Sequence, residues 1–372
     1  MELVYEEYRP RRIVNVHKHV DGPWFWGRYT AHPYVGCRSG CEFCYERGGV
    51  YLGRRDPNQF DTRIRVKVNA AELLARELPR LERDIIACGD WQQPAESKYR
   101  LSRAMLEVVL DHSFPLFIIE RSPLVTRDLD LLVEINRRSW VGVLFSMSGV
   151  DPALKRAFEP RSPGVKRRLE AMAQLASAGI TTGAALMPVL PFVGDREEQL
   201  KETIHAISDS GGVCVLAGGL TMAGAQAQRT LETYRQLDPA LEEKLRVMYR
   251  WAPGGKPGFG PPIRYNARLG LKVRELCDCF GLIDRMPRYV APGPFAVNKR
   301  IAEKLFLETY ELELQQASSH RIWAYRKAAW RVDELEEDIA ELYAEQDVEG
   351  LEKIPGIGKK IAARIKTWLE TV

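Results

Sequence analysis

Short apolar runs rich in β-branched residues alternate with longer stretches of helical periodicity from about residue 84 onward. The apolar runs predict buried strands at 84–88, 115–119, 141–146, 180–187 and 213–217. Helical periodicity predicts helices between them, at 97–111, 127–138, 164–178 and 195–209. A strand near 26–30 and a helix at 70–82 extend the alternation upstream. Six strand–helix units predict an α/β fold, with a parallel sheet curled into a partial (β/α)6 TIM-like barrel.

The alternation ends at about residue 220. Helices are expected at 226–249 and 266–280, on either side of a Gly/Pro-rich loop at 251–262. The segment 290–294 is typical of a linker, and the pattern after it is helical throughout. We therefore expect a first domain over 1–292, with a core at about 24–220 and an extension over 221–292, and a small all-α domain over 297–372.

The composition is that of a folded chain, with 45% hydrophobic and 28% charged residues among 372. It excludes collagenous, low-complexity and wholly disordered proteins. No apolar run approaches the roughly 18–20 residues that cross a bilayer, and the N-terminus lacks a basic and then apolar leader. We therefore expect a cytoplasmic protein without a membrane partner. The net charge of +4 is too small to identify any partner.

Three of the seven cysteines lie in one loop with C-x3-C-x2-C spacing: Cys37, Cys41 and Cys44. Clustered thiols in a chain expected to be cytoplasmic indicate a metal site rather than a disulfide framework. Three thiolates on a tight loop can hold three irons of a cubane cluster, and the fourth iron then keeps an open position for a small molecule. The alternative is a structural zinc site with a fourth ligand from His17, His19 or His32.

This cysteine loop, with Phe43 before its last cysteine and a predicted barrel strand before it, resembles the radical S-adenosylmethionine (SAM) superfamily. The resemblance implies a [4Fe-4S] cluster on Cys37, Cys41 and Cys44, with SAM bound at the open iron. It also implies that one electron cleaves SAM to a 5′-deoxyadenosyl radical, which abstracts hydrogen from a substrate. A reductase, or a donor of the flavodoxin or ferredoxin type, is the implied electron source.

Further stretches resemble the spore photoproduct lyase-like branch of that superfamily. They lie in order along the chain, at 64–70, 89–96, 127–132, 158–163 and 186–191. The lyase of this branch reverses a covalent thymine dimer in DNA. It uses a cysteine at the end of its second strand to return hydrogen to the product radical, which implies that role for Cys88. The alternative is that Cys88 is a small buried hydrophobic residue, as unpaired cysteines usually are.

The same resemblance implies the contacts to SAM. Arg156 stands where the branch has a lysine for the methionine carboxylate, and a guanidinium suits that group. Gly89 and Asp90 occupy the turn expected against the methionine amine. The expected neighbours of the ribose and adenine are Ser146, Ser148 and Met187. For the two serines, a role as ordinary strand-end caps is the alternative.

The last helical segments contain a hairpin signature at about 348–372. Gly356 and Gly358 make a tight turn whose N–H groups open the next helix, and such a turn binds phosphate. Lys359 and Lys360 add positive charge. The segment resembles a helix-hairpin-helix, which implies sequence-independent contacts to the DNA backbone. The alternative is a short helical dimerisation module.

The whole segment 297–372 resembles the N-terminal domain of family X DNA polymerases. Some of those domains are lyases that use a lysine six residues after the second hairpin glycine, where this chain has Arg364. A guanidinium stays protonated and cannot form the required Schiff base. The resemblance therefore implies DNA binding by Arg364 and its neighbours, without that lyase activity.

Together these features predict a radical SAM [4Fe-4S] enzyme that acts on DNA, with repair of a pyrimidine photoproduct-type lesion as the most specific form of the hypothesis. Two alternatives stay open at this point. The enzyme modifies RNA, protein or a small molecule, or the chain is a non-catalytic iron–sulfur protein that binds DNA and senses redox state.

Overall fold

A parallel sheet forms the centre of the protein, whose computed structural model describes residues 2–48, 52–89, 91–252 and 254–371. The strands are β1 (Val4–Tyr8), β2 (Val14–Val16), β3 (Tyr29–Ala31), β4 (Tyr34–Val35), β5 (Arg63–Lys67), β6 (Ile86–Gly89), β7 (Leu116–Glu120), β8 (Val141–Ser146), β9 (Thr181–Val189) and β10 (Cys214–Gly219). Seven of the described strands form one sheet in the order β10-β9-β8-β7-β6-β3-β2. Strand β2 is antiparallel to β3, and the other neighbours are parallel. Six parallel strands confirm the predicted barrel.

Helices connect the parallel strands and cover the outside of the sheet. They are α1 (Ala70–Glu77), α2 (Glu96–Tyr99), α3 (Leu101–His112), α4 (Leu129–Arg138), α5 (Pro152–Phe158), α6 (Val165–Ser177), α7 (Glu197–Asp209), α8 (Gly224–Leu237), α9 (Pro239–Met248), α10 (Ile263–Cys279), α11 (Ala296–Leu314), α12 (Ser319–Asp333), α13 (Ile339–Lys353) and α14 (Lys359–Leu369). Within the described residues, no helix is both long and apolar enough to cross a bilayer.

The extension after the barrel contains one break that the helical pattern did not predict. The span 226–249 is two helices, because Asp238 caps a new start and Pro239 occupies its first turn. The Asp238 carboxylate accepts from the Ala240 N–H at 2.8 Å. Helix α10 then packs on β10, and a parallel bridge joins Cys214 to Ile283. The extension therefore covers the free edge of the barrel sheet.

Side chains along each parallel strand point alternately to the two sides of the sheet. One set, including Ile118 and Val143, packs with α1, α3, α4, α6 and α7. The other set, including Phe117 and Leu144, faces the barrel interior. This alternation decides which strand residues can reach a ligand inside the barrel.

The interior set continues into the C-terminal helices at the end where the strands begin. Trp26 is 1% exposed, and its ring meets Phe306 of α11 edge-on, with centroids 5.7 Å apart. Its Nε1–H donates to the Met286 carbonyl at 2.8 Å. Ile85 and Cys214, near the starts of β6 and β10, belong to the same cluster. The C-terminal helices therefore close the N-terminal end of the barrel.

Polar contacts fix the same interface. Arg288 forms a buried ion pair with Asp333 at the end of α12, and Lys299 Nζ donates to the Asp333 carbonyl at 2.6 Å. Trp330 Nε1–H donates to the Val20 carbonyl at 3.0 Å. Removing one partner of a buried ion pair leaves an uncompensated charge, so these contacts oppose separation of the two regions. The regions on either side of residue 293 thus share one core.

The other three described strands form a small sheet in the order β1-β5-β4. Strand β5 is parallel to β1 and antiparallel to β4. Because β4 follows β3 almost directly, this sheet lies at the C-terminal end of the barrel. One of its faces, with Tyr34, Ile64 and Val66, packs against Ala95 and Leu101.

We expect Phe306→Ala to destabilise the whole protein, because Phe306 is fully buried where the barrel meets the C-terminal helices. Loss of a buried phenylalanine costs about 3–5 kcal/mol of unfolding free energy. The measurement is urea unfolding followed by circular dichroism and tryptophan fluorescence. The two signals should change together at a lower urea concentration.

The matched control is Leu307→Ala, since Leu307 is the next residue on α11 and is 36% exposed. That variant should stay within about 0.5 kcal/mol of the parent. Two separate unfolding transitions in the Phe306 variant, with the barrel transition unmoved, would contradict a shared core.

Candidate active site

The loop that carries the three cysteines follows β4 at the open end of the barrel. Cys37 and Cys41 are 5% and 4% exposed, and Cys44 is half-buried. Gly36 has a φ of 92°, and a Cβ there would lie 2.6 Å from the Phe60 carbonyl oxygen. Only glycine adopts this conformation without strain in so little space. Gly36 therefore sets the direction in which the loop leaves β4.

Asp61, just before β5, anchors the cysteine loop. Its buried carboxylate pairs with Arg161 and, at 3.2 Å, with Arg47 Nη2. Arg161 Nε in turn donates to the Arg38 carbonyl at 3.2 Å. Because Arg38 directly follows Cys37 and Arg47 lies three residues after Cys44, one carboxylate positions both ends of the loop.

Glu42, inside the loop, connects it to two helices. Its N–H donates to the Phe158 carbonyl at the end of α5, at 2.9 Å. Its carboxylate pairs with Arg229 of α8 at 2.7 Å, and its carbonyl accepts from Thr230 Oγ1 at 3.1 Å. The loop is therefore held from the barrel, the small sheet and the extension.

The surroundings of the Arg47 side chain indicate whether the loop can hold an anionic metal cluster. Its side chain is fully buried, and its Nε has no hydrogen-bond partner among the described residues. Burial and then Arg229 lower the pKa of Arg47, whereas Cys44 and Cys41 act in the opposite direction. An anion beside this guanidinium would satisfy both the charge and the donor. The three thiolates and the sulfides of a cluster are negatively charged, so the residues present fit an iron–sulfur cluster.

Of the three histidines considered for a zinc site, His32 lies at the open end of the barrel, with its Nδ1 3.4 Å from the Gly89 carbonyl, whereas His17 and His19 are placed elsewhere. His17 Nε2 lies 3.2 Å from Thr30 Oγ1. His19 pairs with Glu334 at 2.7 Å, at the closed end of the barrel. In the part of the chain that the structure describes, no three His, Cys, Asp or Glu side chains converge as a single metal ion requires. The positions of His17 and His19 give no support to the zinc alternative.

Small residues occupy several of the interior positions at the open end of the barrel, which we call the rim. Gly89, Ser146 and Gly218 lie at or near the ends of β6, β8 and β10, with Met187 between the last two on β9. A Cβ on Gly218 would lie 3.2 Å from Met187 Cε. Three residues expected at the cofactor thus share this rim: Gly89, Ser146 and Met187. Asp90, expected beside them, lies outside the described residues.

Ser148 belongs to a buried polar network instead. Its N–H and its hydroxyl both donate to Glu159 Oε1, at 2.9 and 2.7 Å. Arg168 pairs with the other oxygen of Glu159 at 2.6 Å. Burial by itself would raise the pKa of Glu159, but Arg168, Arg121 and Ser148 lower it to about 2. The Ser148 hydroxyl therefore stabilises the segment after α5.

Arg121 is a site residue that the sequence patterns did not identify. It follows the last residue of β7, and its guanidinium lies over the Phe43 ring, 5.6 Å from the centroid. Its Nε is 3.9 Å from the Glu159 carboxylate. Its position in the sequence could have identified it as a site residue, because polar residues directly after a barrel strand lie at the open end of the barrel.

Arg156 is not at the rim, which corrects the expectation that it binds the SAM carboxylate. Leu154 and Phe158, on the buried face of α5, pack in the same cluster as Cys41 and Phe43. Arg156 lies two residues from each, on the opposite face of the helix. It is exposed and lines an outer groove with Lys166 and other residues of α6 and α7.

Cys88 faces the helices rather than the barrel interior. It packs in the same cluster as Trp91 and Met105, and its thiol donates to the Phe117 carbonyl at 3.3 Å. Burial, followed by Glu120, raises its pKa. The residue is one position out of phase with Ala87, which does face inward. This placement corrects the expected S–H group at the barrel mouth and favours the alternative of a buried hydrophobic residue.

The C-terminal hairpin has the geometry expected of a phosphate-binding turn. Gly356 has a φ of 90°, and Gly358 immediately precedes α14. A Cβ on either glycine would meet open space, so both backbones are accessible. Lys359 and Lys360 are exposed beside them. Arg364, one helical turn further along, pairs with Glu308 of α11 at 3.1 Å.

We expect Cys88→Ala to leave the reaction products of the enzyme unchanged, because its thiol lies behind the sheet. The variant should lose about 1 kcal/mol of unfolding free energy. The measurement is mass spectrometry of the products together with urea unfolding. Cys214→Ala, at another fully buried cysteine, is the control. An altered or stalled product in the Cys88 variant alone would restore the hydrogen-donor role.

Comparison with protein families gives two matches. The description "Radical SAM superfamily" matches residues 32–207, and "Helix-hairpin-helix domain" matches residues 297–372. Uncharacterized proteins of Mycobacterium tuberculosis and Mycobacterium bovis are 30% identical over 243 residues, which is 64% of this chain and 72% of each relative. An uncharacterized protein of Methanocaldococcus jannaschii is 27% identical over 176 residues, 47% of this chain and 66% of that protein.

Solved structures with a similar fold include spore photoproduct lyases. A mutant with bound AdoMet and dinucleoside spore photoproduct has a TM-score of 0.56 and 17% identity, covering 76% of this chain and 81% of that one. A lyase complexed with dinucleoside spore photoproduct has a TM-score of 0.55 and 17% identity, covering 75% of this chain and 81% of that one. These likenesses show the barrel fold. The chain belongs to the radical SAM superfamily, whose members use a [4Fe-4S] cluster and SAM, and it carries a C-terminal helix-hairpin-helix domain.

Proposed function

We propose that this protein is a radical SAM enzyme that acts on DNA, with a pyrimidine photoproduct-type lesion as its substrate. The observation that carries the proposal is that two parts lie at the two ends of one barrel. A cysteine loop lies at the open end of the barrel, and a phosphate-binding hairpin belongs to the helices that close the other end. The fold shared with spore photoproduct lyase supports the lesion class.

In this proposal Cys37, Cys41 and Cys44 hold the cluster. A cluster held by these three thiolates would supply one-electron chemistry for the reductive cleavage of SAM. Arg47 balances the negative charge of the thiolates from its buried position. Asp61 keeps Arg47 there, so the ligand loop is prearranged before any metal binds.

The rim residues Gly89, Ser146 and Met187 provide space for a nucleoside. Gly89 has no side chain and that of Ser146 is short, whereas Phe117 and Leu144 fill the interior nearer the closed end. We assign the SAM carboxylate to Arg121, since its guanidinium lies over Phe43 within the cysteine loop. A base in duplex DNA would have to be flipped out to enter this rim.

The electron donor would approach from the side of Cys44. That residue is the most exposed of the three cysteines, and the neighbouring Tyr45 is 55% exposed. A reductase, or a small donor of the flavodoxin or ferredoxin type, is the partner that we propose for this surface.

The test of the function is product analysis under anaerobic conditions. The reconstituted protein is given SAM, a chemical reductant and ultraviolet-irradiated oligonucleotides, and the mixture is analysed by mass spectrometry. We expect 5′-deoxyadenosine together with loss of a pyrimidine photoproduct. Unirradiated oligonucleotides of the same sequence are the control. Formation of 5′-deoxyadenosine with every photoproduct intact would contradict the lesion assignment.

Cys41→Ala should abolish cluster assembly, because a cubane held by three thiolates does not survive the loss of one. Iron and sulfide content after anaerobic reconstitution is the measurement, and the parent should hold about four irons per chain. Cys279→Ala, at an exposed cysteine on α10, should keep the iron content of the parent. Normal iron in the Cys41 variant would refute the ligand assignment.

Lys359→Glu should weaken binding to duplex DNA by roughly tenfold at moderate salt, because it replaces a phosphate contact with a like charge. The slope of log affinity against log salt should become shallower by about one. Lys201→Glu, at an exposed lysine on α7, is the control for a change of net charge. Equal affinities for the two variants would count against the hairpin as the DNA contact.

A further inference from the structure

The hairpin and the rim lie at opposite ends of the molecule. The ring of Phe306 contacts Trp26, so this side of α11 faces the barrel. Glu308 lies two residues further, about 200° around the helix, and pairs with Arg364 of the hairpin. The hairpin therefore packs on the side of α11 that faces away from the barrel.

This arrangement leaves a gap between DNA bound at the hairpin and the reaction site. A strand of six residues spans about 20 Å, and a helix adds about 10 Å, so the hairpin lies roughly 30 Å from the rim. Duplex DNA is stiff over about 150 base pairs and does not fold around a barrel of this size. A DNA strand at the rim therefore needs a second contact there.

The small sheet carries a row of cations on the face that looks away from its core. Arg63, Arg65 and Lys67 alternate along β5 with Ile64 and Val66, whose side chains are buried on the other face. Half-exposed residues of one sign along a strand give a linear array of charge. Their spacing along the strand is about 6.6 Å, close to the separation of successive phosphates in an extended strand.

Among the described residues, Arg65 and Lys67 form no ion pair with a carboxylate, although Glu6 lies opposite Arg65 in the register of β1 and β5. Arg63 is paired with Glu6, but Arg65 instead stacks on the Tyr8 ring, 3.9 Å from its centroid. Burial and then Arg65 lower the pKa of Lys67 to about 8, and no acidic group in the described residues contributes to that shift. Cations that repel one another at a surface are stabilised by an anionic ligand.

The array connects to the rim and to the cysteine loop. Burial and then the charge of Lys67 lower the pKa of His32. The His32 Nδ1 lies 3.4 Å from the Gly89 carbonyl at the rim. Val35, directly opposite Arg65 in the register of β4 and β5, is the residue before Gly36 and the loop. The cations therefore lie beside the entrance to the barrel.

We propose that Tyr8, Arg65 and Lys67, which we call the basic face, bind the phosphodiester backbone of the DNA strand whose base enters the rim. This inference rests on the proposed action on DNA and adds the contact at the reaction site. The hairpin then holds a separate stretch of the same DNA. Short strands engage the basic face alone, and long duplexes engage both surfaces.

The experiment measures binding of a fluorescent single-stranded 12-mer by anisotropy over a range of salt. The double variant Arg65→Gln/Lys67→Gln should lose roughly tenfold in affinity, and its salt slope should fall by about 1.4, because each lost phosphate contact accounts for about 0.7. Lys359→Glu should bind a single-stranded 4-mer as the parent does, because about 20 Å of extended strand cannot reach across the roughly 30 Å between the rim and the hairpin. Iron content and unfolding temperature verify that the variants are folded.

The control for the lysine-to-glutamine change is Lys18→Gln, at an exposed lysine near the closed end of the barrel. It should keep the affinity of the parent. Equal binding of the 12-mer by the parent and the double variant would overturn the basic face while leaving action on DNA intact. Tighter binding of an RNA 12-mer with the same loss in the variant would reassign the face to RNA. If the parent binds neither the 12-mer nor a long duplex, the proposed function itself fails.

Discussion

The structure depends on how the barrel interior is filled. A six-stranded parallel barrel has two ends, and its inward side chains must be buried at one of them if the other is to remain open for a ligand. Trp26 and Phe306 meet at the end where the strands begin, and they join the interior of the barrel to the C-terminal helices. The opposite end keeps glycine and serine at inward positions. The site is therefore at the C-terminal end of the strands because the other end is packed shut.

This packing gives the C-terminal domain a structural role that the sequence did not predict. From sequence alone a hairpin module after a linker is expected to act as an attachment that delivers DNA. In the structure its helices form the floor of the barrel, with a buried ion pair between Arg288 and Asp333 at the interface. The domain thus contributes to the stability of the catalytic region as well as carrying the glycine-rich hairpin. It also places that hairpin far from the cysteine loop, which is why a contact near the rim has to be considered.

Buried carboxylates pair with arginine side chains around the cysteine loop. Asp61 holds Arg47 and Arg161, while Glu159 is held by Arg168 and lies near Arg121. These carboxylates keep cations beside a loop that would bind an anionic cluster. Each carboxylate is buried, so the arrangement is rigid before a cofactor is present. Such preorganisation is expected where thiolates must meet several irons at fixed positions.

The sequence by itself determined the features that depend on short-range spacing. The cysteine spacing, the alternation of strands and helices, and the Gly356–Gly358 turn all follow from residues close in the chain, so they were predicted without knowledge of the tertiary structure. Which face a residue occupies was decided only by the folded chain. A shift of one position along a strand sends the Cys88 thiol to the helix layer, and two positions along α5 send Arg156 to the surface. Arg121 reaches Phe43 across 78 residues of sequence, and the closure of the barrel by α11 joins segments still further apart. Contacts of that kind are set by packing between distant segments, which local patterns do not encode.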